Sequence, residues 1–348
     1  MRPGLHLLIL AGLWASCAIA AREAPFSNEI APDRTLIILA APAASDHYYQ
    51  RLRPDILAFQ TAYAQQVIGR DNIVILGDRK TLKLLAADLP KDILLEAPMR
   101  DIWMRDFTPV MPEHPVLFRY SAAAQAGKQP TADWVQASFI RFAKQLGLEF
   151  NRTRLMLDGG NVVDNGSNKA IVTDRFLEDN RLSKPKAINL LQKELGVERV
   201  AILPADPEDP LAHADGMALF LGSNTVAVTD YGGAFQKELK MELNKAFPGI
   251  HILKLETEFD TGKAWDPRFG SAKGISANAV LTDRFLYVPV FGMETDAKNL
   301  ELIRSHTDRK VIPIDAETVS RMGGSVRCLS GQMKGENARK LIEAARKP

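Results

Sequence analysis

The sequence predicts a mixed α/β fold in a single domain, assembled from several similar β/α units. Three observations carry this. Short apolar runs of strand length alternate with amphipathic stretches from Arg34 onward, so strands and helices are interleaved. No long polar or Pro/Gly-rich linker interrupts the chain, and nothing marks a domain boundary. Five polar residues also stand out against strand-like surroundings. These are Asp106, Asp158, His213, Asn278 and Cys328, at successive intervals of 52, 55, 65 and 50 residues. Each interval holds strands and a helix, as five similar units around a common axis would give. Without identity between the units, coincidence explains the spacing equally well.

Taken in order, Thr35–Ala40 and Asn72–Leu76 read as strands. Between them, residues 46–68 have helical spacing, with an interruption expected at Pro54. Lys80–Ala87 reads as a short helix, Asp92–Glu96 and Val116–Tyr120 as strands, and Ala132–Leu146 as an amphipathic helix. Strands are expected at 155–157, 161–163 and 170–173, the last two joined by the turn signal Asp164-Asn165-Gly166-Ser167. A helix over 187–195 leads to strands near 200–203, 218–221 and 225–228. The helix over 236–247 ends at Pro248-Gly249. Strands at 250–255, 279–282 and 285–289, a helix over 297–305, a strand at 310–314 and a last helix over 336–346 complete the pattern. Residues 21–33 and 121–130 are the loosest stretches.

Composition excludes some functions. The chain has 348 residues, 46% of them apolar and 25% charged, which is ordinary globular material. Its formal net charge is +2, too small a field to point at nucleic acid or an anionic membrane. The N-terminus reads as a secretory leader over residues 1–20, with Arg2, an apolar run Leu5–Trp14 and the small-x-small site Ala18-Ile19-Ala20. Processing as a lipoprotein at Cys17 is the second reading, because Trp14 stands where such signals usually have leucine. The expectation is a secreted or periplasmic single domain over 21–348, with no further run of ~18 apolar residues to span a membrane. Once the leader leaves, Cys328 is the lone thiol. An unpaired cysteine in an oxidising compartment is either buried or put to chemical use.

Four stretches could carry chemistry. Gly323-Gly324-Ser325-Val326-Arg327-Cys328 reads as a glycine turn and a short extended segment ending at the thiol. In Asp101-Ile102-Trp103-Met104-Arg105-Asp106-Phe107 large apolar and charged groups share both faces of an extended segment, so a site loop or a set of structural ion pairs fits. Asp158-Gly159-Gly160-Asn161 permits close backbone approach, or is simply a tight turn. His213 and Asp215 lie on one side if extended, although a surface loop is the commoner setting. Together, a cysteine and a histidine make a nucleophile and its proton shuttle. The carboxylates Asp106 and Asp215 suit a substrate whose reacting carbon belongs to a cation. Guanidinium matches carboxylates in planar bidentate geometry.

These four motifs in order resemble the agmatine deiminase and Porphyromonas-type peptidyl-arginine deiminase family, from about residue 35 to the end. The resemblance implies a five-bladed α/β-propeller, with ββαβ-type units around a central pocket. It implies that Cys328 is the nucleophile, that His213 is the general acid/base, and that Asp106 and Asp215 hold the guanidinium nitrogens. Trp103 and Asn278 resemble pocket-lining residues of the family, and Asp158 and Asn161 supporting ones. It further implies a guanidine deiminase that needs no metal or organic cofactor, with a small-molecule or peptidyl guanidinium as its partner. Two features depart from the family pattern. Arg327 and Ser330 flank the nucleophile where histidine and threonine are frequent, and Phe107-Thr108-Pro109 replaces a more usual Gly-Pro. Three readings compete with deimination: amidino transfer to an amine, a non-catalytic guanidine binder, and a cysteine protease, in which the paired carboxylates have no task.

Overall fold

A computed structural model describes residues 28–29, 34–260, 262 and 264–347. The predicted leader, residues 1–20, lies outside the described residues, as does most of the loose stretch that follows it. The fold is mixed α/β, as expected. Among the described residues no helix is long and apolar enough to cross a membrane.

One ladder recurs. A short strand runs antiparallel to a central strand, and the central strand pairs on its other side with a parallel one. The short, central and parallel strands of one sheet are Val163–Asp164, Lys169–Thr173 and Arg199–Leu203. In the next they are Ala218–Phe220, Thr225–Thr229 and His251–Leu255. Val280–Leu281, Phe285–Val290 and Lys310–Asp315 repeat the pattern. A fourth sheet joins distant parts of the chain. Gly331–Met333 lies antiparallel to Leu36–Ala40, which pairs with Asn72–Gly77, with Leu94–Glu96 added at the edge. In the fifth, Val116–Arg119 is parallel to Asn151–Met156, and the short strand is reduced to a bridge between Val110 and Val116.

Parallel neighbours require a crossover, and helices lie in each one. Five are Arg53–Val67, Gln129–Leu146, Lys184–Leu195, Gly233–Ala246 and Glu294–Arg304, and the short helix Arg79–Leu85 lies in the sixth, to the edge strand Leu94–Glu96. The central strands Leu36–Ala40 and Asn72–Gly77 are buried along their whole length, which is why they read as unbroken apolar runs. Apolar side chains gather into five buried clusters between sheets and crossover helices.

The structure corrects several local expectations. Pro54 does not interrupt a helix over 46–68. It occupies the first turn of Arg53–Val67, where its missing N–H costs nothing, and residues 47–52 form turns. Pro130 and Pro185 start their helices the same way. Residues 161–163 are not a strand; Gly159–Asn161 is a 3-10 turn and the strand begins at Val163. Cys328 lies in a turn ahead of Gly331–Met333, not at the end of an extended segment. Met104–Phe107 is a short buried helix, and the helix Arg175–Asn180 is additional.

The ladder explains the spacing of the polar residues. Each stands just before the short antiparallel strand or bridge of its sheet. Asp106 precedes Val110, Asp158 precedes Val163, His213 and Asp215 precede Ala218, Asn278 precedes Val280, and Cys328 precedes Gly331. A segment entering a sheet at its short strand is freed from ladder pairing, so its side chains can turn away from the core.

Candidate active site

These lead-in segments meet at a cavity of about 1030 Å³ lined by Trp103, Asp106, His213, Asp215, Asn278 and Cys328. Asp158 is not among the lining residues; it lies one layer behind. Asp106, His213, Asp215 and Asn278 are buried, while Cys328 is partly exposed.

Cys328 is anchored by Asn278. The Asn278 Oδ1 accepts from Ser325 Oγ at 3.0 Å and from the backbone N–H groups of Arg327 at 3.1 Å and Cys328 at 3.3 Å. Its Nδ2 donates to Cys328 Sγ at 3.1 Å. A second tie crosses to the Trp103 segment, where the Arg105 N–H donates to the Cys328 carbonyl at 3.1 Å. Gly324 is required by this packing. A Cβ there would lie 2.7 Å from Trp103 Cζ3 and 2.9 Å from Cys328 Cβ.

His213 is held between two carboxylates. Its Nε2 lies 3.2 Å from Asp158 Oδ2 and its Nδ1 3.8 Å from Asp106 Oδ1. Asp158 is fixed in turn by the backbone N–H of Ser121 at 2.7 Å and by Ser121 Oγ at 2.6 Å. The backbone N–H of Gly160 donates to Asp106 Oδ1 at 3.1 Å. A Cβ on Gly160 would meet His213 Nδ1 at 2.4 Å, and one on Gly159 would meet the Arg105 carbonyl at 2.0 Å. The paired glycines thus serve close approach, not a simple turn. Asn161 accepts from the Thr173 N–H at 2.8 Å and pins this loop to the sheet.

Electrostatics set the resting protonation. Burial opposes a charged imidazole, but the charges of Asp106, Asp158 and Asp209 overcome it and raise His213 to about 10. Burial, with Asp158 and Asp215 nearby, raises Asp106 despite the opposing His213 charge. Burial also raises Asp215, against the pull of Arg327, His213 and Arg105. Burial and the charges of Asp215 and Asp106 push the Cys328 thiol well above its ordinary range, while the Asn278 hydrogen bond pulls it back. A site of this kind favours a neutral thiol beside the two carboxyl groups.

The wider cavity is acidic. Eight carboxylates line it, including Asp46, Asp206, Glu208 and Asp260, against Arg100, Lys128 and Arg268 among the described residues. Its rim carries the exposed aromatics Tyr48, Trp134 and Phe259.

Some of this was missed from sequence. Arg105 and Arg327, each next to a site residue, are buried; the mixed faces of the 101–107 stretch and the departure at Arg327 mark both positions, but neither reveals burial. Ser121 and Asp209, which hold Asp158 and the His213 N–H, carry no motif either.

Comparison with known proteins agrees with the architecture. A C. jejuni agmatine deiminase structure superposes with a TM-score of 0.70 at 17% identity, covering 89% of this chain and 96% of its own. An Enterococcus faecalis agmatine deiminase gives a TM-score of 0.67 at 19% identity, covering 89% and 95%. At these identities the likeness carries the fold alone. A candidate agmatine deiminase of Marinomonas sp. (strain MWYL1) is 22% identical over 346 residues, covering 87% of this chain and 93% of its own. The family model described as Porphyromonas-type peptidyl-arginine deiminase matches residues 26–333. The chain therefore belongs to the Porphyromonas-type peptidyl-arginine deiminase family, a group of enzymes that hydrolyse C–N bonds.

Proposed function

We propose that the protein is an exported guanidine deiminase that converts the terminal guanidinium of agmatine, an arginine-like small molecule or peptidyl-arginine to a ureido group and ammonia. The observation that carries this reading is the meeting of a thiol, an imidazole and two buried carboxylates at one acidic cavity. In this reading the five sheets are the blades of a propeller and the cavity is its centre. Residues 1–20 act as the export signal.

Asp106 and Asp215 take the guanidinium nitrogens. The arriving positive charge offsets the two carboxylates that suppress Cys328 ionisation, so binding itself favours the thiolate. The thiol releases its proton to solvent, and the thiolate forms a bond to the guanidinium carbon, giving a tetrahedral adduct. His213 donates its proton to one terminal nitrogen, the C–N bond breaks, and ammonia leaves from an amidino-cysteine. Water then attacks the same carbon and gives one proton to His213. As the C–S bond breaks, the remaining hydroxyl proton passes to sulfur, so the neutral thiol is restored and the neutral ureido product departs. Asp158 keeps the imidazole oriented through both proton transfers.

The test is ammonia and ureido-product release from agmatine, free arginine and an arginine-containing peptide, with Cys328→Ala as control. Product from at least one substrate, absent with the variant, supports the reading. Turnover that survives Cys328→Ala overturns it, and a product carrying an added amine in place of ureido points to amidino transfer.

A further inference from the structure

Arg327 immediately precedes the nucleophile, and its side chain is almost wholly buried. It turns inward and touches three of the site's lead-in segments. Its backbone N–H is bound by Asn278, its Nη2 donates to the Val162 carbonyl after the Gly159-Gly160 loop, and its Nε lies 3.6 Å from Asp215 Oδ2. That Nε has no hydrogen-bond partner. The same Oδ2 lies 3.8 Å from Cys328 Sγ. One carboxylate oxygen is therefore set between a fixed cation and the thiol.

We propose that Arg327 is the positioning residue of the guanidinium clamp, holding the inner edge of Asp215 so that the carboxylate is presented to a substrate guanidinium beside Cys328. This rests on the deiminase reading above. The argument is one of charge and reach. Asp215 is 1% exposed, and a carboxylate so buried needs a nearby cation to stay ionised. Among the described residues Arg327 is the cation within 4 Å of the Asp215 carboxylate, and His213 and Arg105 add charge from farther off. When Cys328 ionises, Asp215 faces a like charge at close range, and Arg327 resists the recoil that would open the clamp. A planar guanidinium tied at Nη2 holds its Nε in place, which a flexible ammonium cannot do as well. If Arg327 were only a strut between loops, its charge would not matter to guanidine affinity.

The experiment measures guanidine affinity in the absence of turnover. Agmatine and benzoyl-arginine amide are titrated against Cys328→Ala, and against Cys328→Ala combined with Arg327→Met, Arg327→Gln or Arg327→Lys, with thermal unfolding as a fold check. Met keeps most of the volume, and Gln keeps a donor for Val162; both lose the charge. The expected result is a loss of about tenfold or more in affinity for Met and Gln, as truncation of one partner of a buried charge pair gives, and a smaller loss for Lys. In the Cys328 enzyme the same variants should raise KM more than they lower kcat. Folded Met or Gln variants that bind as tightly as their parent overturn the proposal, and either one suffices if the other does not fold. No binding by Cys328→Ala with Arg327 intact removes the deiminase reading and this proposal with it, whereas binding that Arg327 variants leave unchanged removes only the latter.

Discussion

Asn278 holds Cys328 from both ends: its Oδ1 accepts from the Cys328 backbone N–H at 3.3 Å while its Nδ2 donates to Sγ at 3.1 Å. One amide thus sets both the backbone turn and the direction of the thiol. A carboxamide can do this because it carries an acceptor and a donor on one planar group. Asn278→Ala should therefore cost activity chiefly through misplacement of sulfur, by about 10²-fold in kcat. Asn278→Asp keeps the shape but exchanges the donor for a second acceptor next to sulfur, and should be worse than Ala for thiol reactivity. Ammonia release and the rate of Cys328 alkylation check both, and either variant at wild-type activity would remove Asn278 from the mechanism.

The pH profile follows from groups pushed in opposite functional directions. Asp106 and Asp215 must be ionised to hold a cation, yet burial raises both above the usual carboxylate range, Asp106 to about 7. Their charge is present above those values and lost as pH falls through them. His213 must be protonated to release ammonia, and it stays so up to about 10. The profile of kcat/KM should therefore be a bell whose acid side carries two ionisations, Asp106 near neutrality and the Cys328 thiol at higher pH, and it falls by about tenfold or more per pH unit. On the alkaline side it should fall only as pH approaches the His213 value. A profile flat from acid to neutral pH would show that Asp106 does not bind substrate in its ionised form.

Gly160 tests the close approach of loop and imidazole. An alanine Cβ there meets His213 Nδ1 at 2.4 Å and Asp106 Oδ1 at 2.8 Å, so one of the two must move. Overpacking of this kind costs about 1–3 kcal/mol of stability. The loss of activity should be larger, about 10²-fold, because the displaced groups are the reacting ones. Kinetics alongside thermal unfolding separate the two effects; a stable, fully active Gly160→Ala enzyme would mean the loop shifts freely.

The placing of Asp106, His213, Asn278 and Cys328 could be read in advance because each enters a sheet at its short strand, and five similar sheets impose similar intervals. Strand and helix positions were readable for a related reason: central strands such as Leu36–Ala40 are buried on both faces and write that burial directly into sequence. What local sequence does not carry is the sense of a proline or the burial of a charge. Pro54 reads in sequence as a helix breaker and in the fold begins a helix, since its effect depends on where the first turn falls. Arg327 and Arg105 are buried by contacts to Val162 and Gln332, partners far away along the chain. Asp158 could be noticed for its glycines, but its place behind His213 depends on Ser121, which carries no signature at all.

Ser121 and Asp158 form a graded test of how the imidazole is held. Ser121→Ala removes the hydroxyl donor at 2.6 Å and leaves the backbone N–H at 2.7 Å in place, so Asp158 keeps one tie. Loss of one such bond costs about 1.5–3 kcal/mol when the acceptor is charged, part of which should appear as a loss of stability and part as an activity loss no greater than about tenfold. Asp158→Asn goes further. It removes the charge that helps keep His213 protonated and lets the side chain present either an oxygen or an amide nitrogen to Nε2. The analogous substitution behind a triad histidine lowers kcat by about 10⁴-fold, and a drop of at least about 10²-fold is expected here, with the alkaline limb of the profile moving to lower pH. Were the two variants equally mild, Asp158 would be a structural anchor for the loop over residues 121–128, and the orientation of His213 would have to come from Asp106 alone.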